Sequence, residues 1–291
     1  MLRHLPVFLA IAAAAGLFLG LLWCRDQAHP PRPPVVAPAH PSPAPTPAVA
    51  DDVARQRLAL FFGRDDRQFI AAPYPQPYAA IGRLETAAGS TCTATLVGEN
   101  LAVTAAHCFL MEADRLDPGR WFYAGYHRGK YQARYRVLEQ VFPPRFRRGL
   151  RYQGDDVYIE PEAAAYDIAW LKLEKAEGIA PEPLPIMGKN MDTLKRTLKA
   201  TAQRITQAGY AEDHDTQLTS HRHCRITELR ENRTLFHQCD TLAGDSGSPL
   251  FVETAEGPRL IAVQSSAPDW FNRGLADNVA VTVLQLPKPP Q

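Results

Sequence analysis

The chain carries almost no excess of either charge: 32 Lys and Arg stand against 31 Asp and Glu, a balance of +1. That removes the electrostatic case for nucleic acid or a strongly acidic surface as a partner. No segment repeats, which excludes a repeat array, and strong helical periodicity is scarce beyond a short helix near Met191 to Gln203. Cysteine is sparse at five residues. His214, His221, His223 and Cys224 gather in one polar stretch, but without the regular spacing of a zinc site, so no metal is expected. An apolar fraction of 45% over 291 residues is nonetheless enough for a sizeable core, in one large or two small domains.

One long stretch lacks charge altogether. Leu5 to Cys24 is dominated by Leu, Ala, Phe and Gly, and twenty helical residues reach roughly 30 Å, the thickness of a bilayer's hydrocarbon core. The small residues a signal peptidase needs are missing at Leu22-Trp23-Cys24-Arg25. Residues 1–24 are therefore expected to be an uncleaved N-terminal anchor, with a removed signal peptide as the alternative. The short basic start fits an N-terminus left inside. Nine of the 26 prolines then fall between Pro30 and Pro47. Proline fixes φ and lacks the amide donor, so residues 25–50 read as an extended Pro/Ala-rich linker.

From Asp51 onward, short apolar runs with strand character recur between Gly and Pro turn signals. Examples are Ala94 to Val97, Leu101 to Thr104, Tyr135 to Leu138, Ile168 to Leu173, Leu250 to Val252 and Leu260 to Val263. Many short strands predict an all-β barrel or sandwich, which periodicity alone does not separate.

Three strings carry chemistry. In Gly244-Asp245-Ser246-Gly247-Ser248-Pro249 a serine lies between glycines, which allow a tight turn and let a substrate carbonyl approach backbone N–H groups. Thr104-Ala105-Ala106-His107-Cys108 closes an apolar strand on a histidine whose neutral imidazole could take the serine proton. Asp167 precedes the strand Ile168 to Leu173 and could accept the other imidazole N–H. Taken singly, each string is also an ordinary turn or core element.

Together, and in the order His, Asp, Ser, they resemble the chymotrypsin-like (trypsin-like) serine proteases over about Asp65 to Val283. Within that family Gly63 to Arg67, Ala80-Ile81-Gly82, Cys92 to Leu96 and Ser248 are similar to the bacterial glutamyl-endopeptidase-like branch. The resemblance implies two packed six-stranded antiparallel β-barrels with the active site in the cleft between them, here preceded by the membrane helix and linker. The protease domain would span 51–291, with barrels at about 51–178 and 179–291. It implies a serine endopeptidase acting on protein or peptide substrates without cofactor, with His107, Asp167 and Ser246 as triad. The N–H groups of Gly244 and Ser246 would form the oxyanion hole.

The same resemblance implies a bridge between Cys92 and Cys108, which leaves Cys224 and Cys239 for a second. Disulfides fit an exported protein at the periplasmic face of a bacterial inner membrane, or a secreted one if the segment is cut. By the family pattern Asp240 would sit at the floor of the substrate pocket with Thr241 and Gln264, and a carboxylate there would favour Arg or Lys. A glutamate-gripping histidine is replaced by Gln264. No Ile-Val-Gly-Gly-like start is present, so Asp245 would pair with another N-terminus or with Arg64 or Arg67, or the site would form without cleavage. The competing expectation is a non-catalytic module of the same fold, presenting its cleft or the Arg145 to Arg151 stretch to a partner.

Overall fold

The computed structural model describes residues 47–110, 115–154, 156–188 and 190–291. The expected membrane segment and the linker up to residue 46 lie outside these. Among the described residues no helix is long and apolar enough to cross a membrane.

The domain is mostly β. Its strands are β1 (Gln68–Phe69), β2 (Ile81–Thr86), β3 (Thr91–Gly98), β4 (Leu101–Thr104), β5 (Gly119–Ala124), β6 (Ala133–Val141), β7 (Leu150–Gln153) and β8 (Asp156–Ile159). There follow β9 (Ala169–Gly178), β10 (Arg204–Gly209), β11 (Thr219–Leu229), β12 (Thr234–His237), β13 (Pro249–Thr254), β14 (Gly257–Ser266) and β15 (Asn278–Thr282). Strands β2-β3-β4-β9-β6-β5 close into one antiparallel barrel, and β11-β10-β13-β14-β15-β12 into a second through the β11–β12 pairing. The tiny β1 lies outside both circuits and adds to β11; β7 and β8 form a separate hairpin.

Closure explains the burial pattern. Leu84, Leu96, Phe122, Tyr135 and Leu171 fill the first barrel and are fully buried. Their cluster continues through Ala208, Tyr210, Phe251 and Val263 of the second barrel, so the apolar core runs across the junction. A second cluster, Leu194, Leu198, Leu250, Val252 and Ile261, joins the far side of the second barrel to a helix.

Two corrections to the sequence expectation concern helices. Pro47–Leu60 is an α-helix, α1, so the last linker residues and the first residues of the expected β domain are helical. Its Ala, Leu and Arg are good helix formers, and Pro opens its first turn, yet its apolar residues make no continuous stripe that would show in the sequence. Short helices α2 (Pro144–Arg148) and α3 (Pro161–Ala164) also interrupt the β pattern. The expected helix near Met191 is α4 (Met191–Ala200), with Asn190 capping the N–H groups of Asp192 and Thr193 and with Leu194 and Leu198 buried. Arg145 and Arg151 of the basic stretch meet Tyr166 and Glu160 locally.

Candidate active site

Strand pairing brings the histidine and the aspartate together. β4 and β9 run antiparallel with Thr104 opposite Ala169, so the chain leaving β4 and the chain entering β9 meet at one end of the first barrel. His107 lies on the 3-10 turn Ala106–Phe109 that follows β4, and Asp167 on the turn before β9. Asp167 is buried, 2% exposed. Its Oδ1 accepts the His107 backbone N–H at 2.8 Å, and its Oδ2 lies 2.6 Å from His107 Nδ1. The Ser265 hydroxyl donates to the same Oδ2 at 2.6 Å.

Burial alone would push the Asp167 carboxyl up, but the charge and hydrogen bonds of His107 and the Ser265 hydroxyl outweigh it and hold it below its ordinary value. Burial likewise disfavours the imidazolium, and the Asp167 carboxylate reverses that, so the His107 pKa lies above the ordinary imidazole value. With Nδ1–H given to the carboxylate, Nε2 carries the lone pair, and it faces Ser246 Oγ at 2.8 Å. A hydroxyl, a base and a carboxylate that orients the base stand in one line, an arrangement able to activate the oxygen for acyl transfer.

Ser246 comes from the other barrel, on the loop between β12 and β13. Two positive-φ glycines shape that loop: Gly244 at 88° and Gly247 at 79°. Gly247 has a second reason to be glycine, because a Cβ there would stand 2.1 Å from Thr104 Oγ1 and 2.4 Å from Thr93 O. The loop is tied to the first barrel through Thr93, a residue the sequence strings did not single out. Thr93 N donates to Ser246 O at 2.9 Å, and its hydroxyl donates to Gly244 O at 3.0 Å while accepting from Tyr210 N. Among the described residues the N–H groups of Gly244 and Ser246 have no acceptor, as a carbonyl-binding pair requires.

A pocket of about 390 Å³ opens beside Ser246, lined by Thr241, Leu242, Ala243, Gln264, Ser266 and Trp270 among others. The expectation for Asp240 is corrected here. Its buried carboxylate turns the other way, accepting from Asp66 N at 2.6 Å and lying 3.1 Å from His221 Nδ1, in a separate pocket with Arg64 and Arg222. The backbone between Asp240 and Gly244 carries Thr241, not Asp240, to the cleft. Asp66, His221 and Asp240 have ligand atoms within 4.8 Å of one another, but Arg64 already holds Asp66 at 2.7 Å. Cys224 is bonded to Cys239, and Cys92 to Cys108.

Asp245 is buried beside Ser246 and forms no ion pair among the described residues. Arg64 is taken by Asp66, and Arg67 by Asp65 and Asp213, so neither expected cation reaches it. Burial pushes the Asp245 carboxyl up to about 6, against the Leu242 N–H that it accepts and the field of Arg67.

The sequence profile of the trypsin family matches residues 68–283. No curated protein sequence matches the chain. Among solved structures, a Glu endopeptidase in complex with MPD is 21% identical, covering 76% of this chain and 92% of its own, with a TM-score of 0.58. The thermostable serine protease AL20 from an extremophilic microorganism is 18% identical over 73% and 94%, TM-score 0.51. The protease Anisep from Arthrobacter nicotinovorans is 15% identical over 76% and 94%, TM-score 0.50. At these identities the likeness is one of fold.

Proposed function

The chain belongs to the trypsin family of serine peptidases, and from that premise we propose that it is an endopeptidase working through an acyl-enzyme on His107, Asp167 and Ser246. The observation that carries this is His107 bridging the other two, 2.6 Å to Asp167 and 2.8 Å to Ser246. Ser246 Oγ attacks the scissile carbonyl as its proton passes to His107 Nε2. Asp167 stabilises the imidazolium, and the Gly244 and Ser246 N–H groups take the oxyanion, where one such donor is worth about 10²–10³ in rate. The imidazolium then protonates the leaving amine, and water enters by the same base to release the acyl group.

Thr241 and Gln264 are the proposed lining of the pocket for the residue before the scissile bond. Without Asp240 in that pocket, the basis for an Arg or Lys preference falls away. The peptidase domain is taken as 51–291, with the barrels dividing at about residue 178. Two disulfides support an extracytoplasmic location, and the uncharged Leu5 to Cys24 run supports attachment to a membrane. Labelling of the full chain by a fluorophosphonate, lost in Ser246→Ala, is the expected outcome. A folded protein that neither labels nor cuts casein would sink the proposal.

A further inference from the structure

Resting on that reading, we infer that the pocket beside Ser246 selects a carboxamide side chain, glutamine or asparagine, immediately before the scissile bond. A histidine outside the triad orients the polar lining of this pocket. His237, on β12, is fully buried. Its Nδ1 accepts the Cys239 N–H at 3.2 Å, so its proton sits on Nε2, 2.8 Å from Gln264 Oε1. Burial holds this imidazole neutral, its pKa lowered to about 4, so the tautomer does not change over the physiological range.

A fixed Nε2–H fixes the Gln264 amide in turn. The oxygen of Gln264 must face His237, and its NH2 group therefore faces the other way. One amide hydrogen goes to Ser266 O at 3.0 Å. The second has no acceptor among the described residues. Gln264 is 3% exposed, so this donor is a buried one presented to the pocket that it lines. Beside it, Thr241 lies toward the Asp245 carboxyl with its Oγ1 covered. The lining thus offers one oriented donor, the Gln264 amide.

Charge separates the side chains that could use this donor. Among the described residues no Lys, Arg or His lines the pocket, and the two ionisable ones that do, Glu212 and Asp269, are both acidic and exposed. A glutamate or aspartate would enter without a cation and against two like charges. Arginine or lysine would present donors to the Gln264 donor, with only solvent-screened carboxylates in return. An apolar side chain would leave that donor unpaired once water is expelled. A carboxamide supplies an acceptor for the Gln264 N–H and is neutral.

The experiment uses the full chain in detergent with five peptides that differ only in the residue before the scissile bond: Gln, Asn, Glu, Arg or Leu. Fluorophosphonate labelling of Ser246 is measured on the same preparation. The expected result is a kcat/KM for Gln or Asn about tenfold or more above the other three, within the range by which a hydrogen-bonding site rejects analogues that cannot pair. Gln264→Glu, confirmed as folded by circular dichroism, replaces the donor by an acceptor and should move the preference to Arg by at least that factor. Labelling with Glu, Arg or Leu cut best, or with neither carboxamide peptide cut, overturns the inference and leaves the peptidase standing. Absence of labelling overturns both.

Discussion

Asp245 stands next to Ser246 with Oδ2 accepting from Leu242 N and Oδ1 without a hydrogen bond among the described residues. Its folded pKa of about 6 exceeds the ordinary 3.8. Between those values the folded chain keeps a proton that the unfolded chain has released, so this residue's contribution to stability declines as pH rises through that window and levels off above 6. A shift of that size corresponds to about 3 kcal/mol. Asp245→Asn keeps the shape and removes the titration. Its stability relative to the parent should rise by up to about that amount between pH 4 and 7, read from urea midpoints at both ends; a constant difference would contradict this account. The three residues of the proposed triad were legible in the sequence from their strings taken together and in order, and the structure brings them into contact. Asp240 was not legible in this way. Which way its side chain turns depends on the path of the following residues, Thr241 to Ala243, and on partners as far off in sequence as Asp66 and His221.

At the scale of elements, β3 ties the loop that bears Ser246 to the first barrel. Thr93 faces out of the first barrel and serves the second, bonding to Gly244 O and Tyr210 N. Thr93→Val preserves the volume but leaves both buried backbone groups without partners, at roughly 1–3 kcal/mol each. A lower urea midpoint and a slower fluorophosphonate reaction are expected together, since the same hydroxyl holds the loop bearing Ser246. Loss of stability with an unchanged labelling rate would deny it that second role. The strands were readable from their apolar runs and turn residues, and α4 from its periodic Leu194 and Leu198. Helix α1 was hidden because no periodic face marks it. The role of Thr93 was hidden because it is a contact between barrels, which no run of neighbouring residues encodes.

At the scale of the molecule, the two barrels share their ends. Residues 66–74, which come before the first barrel in the chain, are bound to the second: Gln68 and Phe69 pair with Ser220 and Thr219, Arg67 with Asp213, and Ile70 N with Leu218 O at 3.1 Å. After the second barrel the chain returns to the first, where Trp170 Nε1 donates to Pro287 O at 3.0 Å and Lys172 Nζ reaches Gln291 O. The barrel circuits follow from the order of strands, whereas this crossing of ends does not. With the core continuous across the junction, denaturant unfolding should give one transition. Tryptophan fluorescence and far-ultraviolet circular dichroism should coincide, and two separated steps would contradict it. The crossing also bears on how the fold would survive a cut in the connector between the barrels, where Ile179 is 78% exposed. A chain severed there would keep both pieces clasped, each half gripping an end that belongs to the other, and the cleft between them would stay whole.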